Sequence, residues 1–270
     1  MKIQLSHSSG NLILGCQQKY VYYKVDKFDK DSDYEESNAL TIGKLFHECL
    51  EQTTHELKGF TPSDLRKVFE NYDLDFDEHG PLLYAMLATY KDLHEKSGLE
   101  VFSMESQISD KDTLGYVDIE MRDSLKGLWV VDVKTAANIS YTLYQKLETD
   151  SQLNLYLAKK MTDEHVGTKY RVISKPKLKR KEKESFAAYF KRLYKSCKGR
   201  EYTIHRENMI PEATYETHKD LHRIARSLHK GKKPIRNYNF CEAFFKPCEY
   251  WSRCHSRNFT DKSTVTSIEV

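Results

Sequence analysis

The sequence predicts an α/β fold: one sheet flanked by helices, with a cysteine-rich element assembled from the two ends of the chain. Three observations predict it. Between Leu45 and Ser174 the apolar patterns run helix, strand, strand, strand, helix, strand. The short polar stretch Asp123-Ser124-Leu125-Lys126-Gly127 reads as a tight turn between two of those strands. Of six cysteines, Cys241, Cys248 and Cys254 crowd together while Cys16 lies near the start. A chain of 270 residues buries one sizeable core, or a core and a small appendage. With 39% hydrophobic and 31% charged residues it reads as soluble and globular, and no apolar run approaches a membrane span.

Taken in order, Met1 to Val25 is an entry element carrying Cys16 and a strand-like aromatic segment, Tyr20 to Tyr23. Asp26 to Ser37 is an acidic loop, expected to be mobile, and a helix follows from Ala39 to Leu57. Thr61-Pro62 opens another helix with proline near its first position. Gly80-Pro81 is expected to break the chain before a helix from Leu82 to Glu95. Leu99 to Ile108, Leu114 to Met121 and Leu128 to Lys134 read as successive antiparallel strands. A helix from Tyr141 to Met161 precedes a strand, Lys169 to Ser174, that should join the same sheet. Beyond a charged linker, Lys175 to Lys183, helices are expected over Glu184 to Lys198 and Glu212 to His229, with a strand from Glu201 to Arg206 between them. The expected organisation is a single domain over 1–258. Its core covers about 39–174, a basic elaboration 175–236, and a cysteine element 237–258 completed by Cys16; 259–270 is a frayed tail.

The hairpin about Leu125 carries the chemistry. Its pairing partners sum to about 250, which sets Asp118 opposite Asp132. Side chains alternate along a strand, so Asp132 and Lys134 share a face. Val117, Ile119, Trp129, Val131 and Val133 then point the other way, into the core. Two carboxylates and an ammonium on an otherwise apolar hairpin cost stability unless something compensates. A divalent cation such as Mg²⁺ is one such compensation, since hard cations take oxygen ligands; a cross-strand ion pair is the other reading. Gly43 and His47 fall at i and i+4 on one edge of a helix, and so do Gln152 and Tyr156 on another. A glycine inside a helix costs about 1 kcal/mol against alanine, acceptable where something must approach closely.

The order Gly43-x3-His47, Gly115-x2-Asp118, Asp132-x-Lys134, Gln152-x3-Tyr156 resembles the PD-(D/E)XK nuclease superfamily, in particular its RecB-like branch with the AddAB and Cas4 nuclease domains. The resemblance implies a restriction-endonuclease-like core, a mixed central sheet flanked by helices, and a Mg²⁺- or Mn²⁺-dependent DNA phosphodiesterase. By carry-over, His47, Asp118, Asp132 and the Val133 carbonyl hold the metal. Lys134 positions the attacking water, and Gln152 and Tyr156 support it.

Met1 to Ser9 is short and polar, no secretory segment, so a reducing cytoplasm is the expected location and metal ligation the expected use of clustered cysteines. Ser6 to Tyr20 is similar to the amino-terminal element of the same branch, where one early and three late cysteines bind a [4Fe-4S] cluster. Cys16, Cys241, Cys248 and Cys254 satisfy that ligand count, and equally that of Zn²⁺. Cys248-x5-Cys254 fits the branch pattern; Cys241-x6-Cys248 is too long, and Gln17 stands where a proline is usual. His255 is an alternative ligand in a zinc site, and Cys49 and Cys197 read as small buried hydrophobes.

Net charge is only +3, but Lys175 to Arg200 holds eleven Lys or Arg against Glu182 and Glu184, the footprint of a phosphate-backbone binder. The aromatics Phe186, Tyr189, Phe190 and Tyr194 have the spacing of a packed helix face. The favoured function is a nuclease, most readily an exonuclease in DNA recombination, repair or phage DNA processing. Its substrate is single- or double-stranded DNA ends, with recombination or replication proteins as partners. A catalytically silent DNA-binding subunit and a zinc-stapled interaction protein are the alternatives.

Overall fold

The computed structural model describes residues 3–31, 37–58, 60–139, 149–160, 162–241 and 248–255. The chain divides into two compact units, residues 36–218 and residues 1–35 with 219–270.

The larger unit is built on a five-stranded mixed sheet in the order β1-β2-β3-β4-β5: Glu100–Ser109, Leu114–Arg122, Leu128–Ala136, His165–Ser174 and Gly199–His205. Strands β1 to β3 form an antiparallel meander, β4 runs parallel to β3, and β5 is antiparallel to β4. The hairpin register is the one expected, with Ile119 opposite Val131 and Glu120 opposite Val130. Its turn is set by Asp123, whose carboxylate accepts from the Leu125 and Gly127 amides and from the Trp129 indole. β3 is central and buried over Leu128–Val133.

One face of the sheet, through Val133 and Ile173, packs under helices α3 (Asn38–Gln52), α4 (Pro62–Phe69) and α5 (Phe76–Ser97). The other, through Val130, Tyr170 and Val172, meets helix α6 (Ser151–Lys160) by Leu153, Tyr156 and Leu157. Helix α7 (Phe186–Ser196) closes on α5 through Tyr189 and Leu193 around Ala85. Its aromatics pack as the spacing predicts: Phe186 stacks on Phe76, and Phe190 lies against Tyr84. The first part of the helix expected over Tyr141 to Met161, part of the acidic loop, and the tail 259–270 lie outside the described residues.

Four expectations are corrected. Gly80-Pro81 does not interrupt α5, which starts at the Asp75 cap. Gly80 has no Cβ to strain against the proline ring. Arg180 Nη1 donates to the Asp77 carbonyl at 3.1 Å, the acceptor four residues back that the proline nitrogen cannot reach. Tyr20 to Tyr23 is helical, not a strand: Gln17–Tyr20 (α2) continues as a π-helical turn, Val21–Val25. Burying Tyr20 against His229 and Tyr22 against Tyr250 takes helical spacing. Helix α3 ends at Gln52, because Thr53 Oγ1 turns back onto the Cys49 carbonyl and His55 is drawn in to Tyr90. Val117 packs with Tyr156 and Val130, whereas Ile119, Trp129 and Val131 form a separate cluster. The β2–β3 ladder stops at Ile119 and Val131, so the strands part just where Asp118 begins.

The smaller unit packs α1 (His7–Gly15, capped by Ser6) and α2 on the carboxy-terminal end of α8 (Pro211–His229), through Leu5, Ile13, Tyr20, Leu221, Ala225 and Leu228. A short helix α9, Trp251–His255, ends the described chain. Among the described residues no helix is long and apolar enough to cross a membrane.

Candidate active site

The parting of β2 from β3 opens a notch that four elements fill. From β2, Asp118 Oδ2 accepts the Val133 amide at 3.3 Å, which fixes its carboxylate across the gap. From β3, Asp132 and Lys134 lie on one face, with Lys134 Nζ 2.8 Å from Asp132 Oδ1. From α6, Gln152 Oε1 stands 3.4 Å from the same ammonium, and Gln152 Nε2 donates to the Tyr156 hydroxyl at 3.2 Å. From α3, His47 Nδ1 lies 4.0 Å from Asp118 Oδ2, and its ring hydrogen-bonds to the Val133 backbone. All six side chains expected from the sequence, and the main chain of Val133, are therefore brought together.

Two glycines permit the assembly. A Cβ on Gly115 would sit 3.0 Å from the Tyr156 ring, so only glycine lets the tyrosine lie over β2. A Cβ on Gly43 would come within 3.3 Å of Thr135 Oγ1 and 3.9 Å of Lys175 Nζ, which is how α3 closes on the end of β3.

The electrostatics are those of a site short of positive charge. Asp132 is 2% exposed, and its Oδ2 has no hydrogen-bond partner. Burial, opposed by Lys134 and reinforced by Asp118, pushes its carboxyl up to about 7. Burial alone would discharge Lys134, but Asp132 and Asp118 outweigh it and hold the ammonium above its usual value. Burial keeps His47 below the ordinary histidine value against the pull of Asp118, so its imidazole is neutral at pH 7. A neutral imidazole is the form that binds metals. Glu105 is raised to about 7 by burial and by Glu51 and Asp118, so further acid gathers on the Asp118 side.

Among the described residues no three His, Cys, Asp or Glu groups form a finished metal cage. The donor set nevertheless suits a hard divalent cation. A buried carboxylate oxygen lacks a partner, which costs free energy unless something else meets it. A second carboxylate and a neutral imidazole stand 4.0 Å apart, too far to hydrogen-bond. Hard cations bind oxygen at about 2.0–2.1 Å, so that gap has the width of one ion between two ligands.

The sequence profile described as "PD-(D/E)XK nuclease superfamily" matches residues 4–255. The chain belongs to this superfamily. Among solved structures it is similar to a protein from Eubacterium rectale described as a "Putative exonuclease", at 13% identity and a TM-score of 0.54. The match covers 98% of this chain and 91% of that one, and at this identity it speaks for the fold. No curated protein matches. The five-stranded mixed sheet flanked by helices is the nuclease fold of the superfamily.

Some contributors to the nuclease site escape the motif. Asp150 Oδ1 accepts the Gln152 and Leu153 amides at 3.0 and 2.9 Å, so it aims the start of α6 and adds negative charge near Asp132. An Asp preceding an apolar helix is a readable capping signal. Tyr170, set beside Asp132 by the parallel β3–β4 register, had no sequence signal.

In the smaller unit Cys16, Cys241, Cys248 and Cys254 line one cavity with Tyr22 and Trp251. The Cys248 amide donates to the Cys241 carbonyl at 2.7 Å, so the long six-residue spacer loops back on itself. Gln17, in the position of the usual proline, accepts the Ile235 amide through its side chain at 3.1 Å. Cys49 is buried in the core, its thiol pushed up to about 12 by burial, and Cys197 packs against that core with Sγ on the Ser174 carbonyl. The His255 side chain lies outside the described residues.

Proposed function

We propose that the chain is a metal-dependent deoxyribonuclease that hydrolyses phosphodiester bonds at DNA ends. The observation that carries this reading is the unpartnered, buried Oδ2 of Asp132 beside Asp118 and a charged Lys134. A structural ion pair would use both oxygens of a carboxylate so deeply buried.

His47, Asp118, Asp132 and the Val133 carbonyl would hold Mg²⁺ or Mn²⁺, which when bound polarises a phosphoryl oxygen and acidifies a water. Lys134 orients the attacking water and meets the negative charge that builds on phosphorus, and it stays protonated to do so. Gln152 limits the swing of Lys134, and Tyr156 fixes Gln152. Asp118, tethered to the Val133 amide, keeps the notch at a set width. Exonuclease action is the preferred form, in keeping with the description of the Eubacterium rectale protein.

The quartet Cys16, Cys241, Cys248 and Cys254 would hold a [4Fe-4S] cluster that staples the two ends of the chain. All four line one cavity and match the ligand count. Metal analysis of protein purified without oxygen should find iron and sulfide; a colourless, zinc-containing sample would replace the cluster with Zn²⁺.

The function is tested with end-labelled and circular DNA in Mg²⁺ and Mn²⁺. Labelled ends should be degraded, and Asp132→Ala and Lys134→Ala should abolish the reaction while DNA affinity persists. Cleavage by either variant would defeat the assignment.

A further inference from the structure

A cavity of about 560 Å³ opens beside the nuclease notch, between the first turn of α3 and the segment that follows β4. Its floor is apolar, formed by Ala39, Ile42, Leu82, Ala137, Leu178 and Tyr189. Its charged lining comprises Lys175, Lys177, Lys179 and Arg180 against Glu78. Two of its walls are continuations of catalytic elements. Ala39 is one helical turn before Gly43 and two before His47, and Ala137 is three residues beyond Lys134. At 1.5 Å per helical residue and about 3.3 Å per strand residue, both routes place the cavity roughly 10–12 Å from the notch.

The cations differ in their commitments. Lys175 Nζ donates to the Ala39 carbonyl at 2.8 Å, and Arg180 is spent on the Asp77 and Glu184 carbonyls. Lys177 and Lys179 are exposed, and among the described residues neither is in an ion pair. They are nonetheless aimed. The Leu178 carbonyl accepts the Tyr189 hydroxyl at 2.6 Å, and the Lys179 carbonyl accepts Arg192 Nη2 at 2.7 Å. This irregular stretch is thus pinned to α7 with Leu178 turned in and both lysines turned out.

An apolar floor under a free cationic rim is the chemistry of single-stranded nucleic acid, with bases on the floor and phosphates on the rim. A volume in the small-ligand range of about 300–1,000 Å³ takes a nucleotide or two and not a duplex. We infer that this groove binds the single strand adjoining the scissile phosphate, with Lys177 and Lys179 as phosphate contacts. The inference rests on the nuclease reading of the neighbouring notch.

The test compares the parent with Lys177→Ala/Lys179→Ala and with a control, Lys96→Ala/Lys111→Ala, that removes the same charge elsewhere. Affinity for a short oligothymidylate, measured in EDTA over a range of salt, should fall roughly tenfold in the groove variant. The slope of log K against log salt should drop by about 1.4, near 0.7 per lost phosphate contact. Turnover of bis(p-nitrophenyl) phosphate with Mn²⁺, which reports the notch alone, should be unchanged. Unchanged affinity and slope, an equal loss in the control, or a loss on blunt duplex but not on single strand would each overturn the groove. Failure of the parent on both DNA and the small diester would instead strike the nuclease reading, and the metal-free binding measurement would still decide the groove.

Discussion

Two carboxylates on neighbouring strands, Glu120 and Asp132, are almost equally buried, at 4% and 2% exposure, yet they are treated in opposite ways. Glu120 Oε1 pairs with His165, and Oε2 accepts from Ser103, Ser106 and Lys160. The hydrogen bond from His165, then those from Ser103 and Lys160, hold its carboxyl down at about 2 against burial. Asp132 has one lysine on one oxygen and nothing on the other, and burial pushes it up to about 7. Helix α6 serves both, since Gln152 and Tyr156 attend the notch and Lys160 reaches Glu120. The difference separates a carboxylate that holds the fold from one kept short of partners for a ligand.

The sharpest way to break the comparison is to neutralise each acid. Asp132→Asn should lower DNA cleavage at least roughly 10³-fold with affinity for DNA nearly unchanged, measured by single-turnover assays beside filter binding. Glu120→Gln should leave turnover per folded molecule within a few-fold. Its cost falls on stability, about 2–3 kcal/mol at neutral pH by urea denaturation, since four donors lose their anionic partner.

The pH dependences should have opposite signs. The Glu120 contribution is full above its ordinary 4.5 and is lost as pH falls toward about 2. At Asp132 the metal-free fold favours the protonated carboxyl, so stability there is lost as pH rises from about 4 through 7. Denaturation of metal-free protein across that range should show the second loss in the parent and not in Asp132→Asn. Metal binding must displace the same proton. Apparent Mn²⁺ affinity by calorimetry should therefore fall about tenfold per pH unit below 7 and level off above it.

The smallest effects lie on α6. Tyr156→Phe should slow cleavage only a few-fold, since it frees Gln152 without touching Lys134. Gly115→Ala should do at least as much by displacing the Tyr156 ring, and rescue of Gly115→Ala by Tyr156→Phe would show that the ring had been pushed aside. A full-rate Gly115→Ala enzyme would remove the packing argument.

Much of this was legible in the sequence because local signals agree with the fold. The Asp123 turn fixes the register, and the register sets Asp118 across from Asp132. Helical spacing makes Gly43 and His47, and Gln152 and Tyr156, neighbours. What was hidden depends on distant partners. Pro81 reads as a breaker until Arg180, a hundred residues on, supplies the missing donor. Tyr20 to Tyr23 has strand composition, but His229 and Tyr250 reward helical spacing. The Glu120 network draws on residues from β1, β4 and α6, and no spacing rule links them.

The bond from Arg180 to the Asp77 carbonyl also orders events in time. While the chain is being made, α5 has to wait for a residue not yet synthesised before its amino-terminal turns are complete. The nucleic-acid-facing stretch then arrives as the clasp that finishes a core helix, so the segment richest in positive charge is also the one the scaffold can least spare.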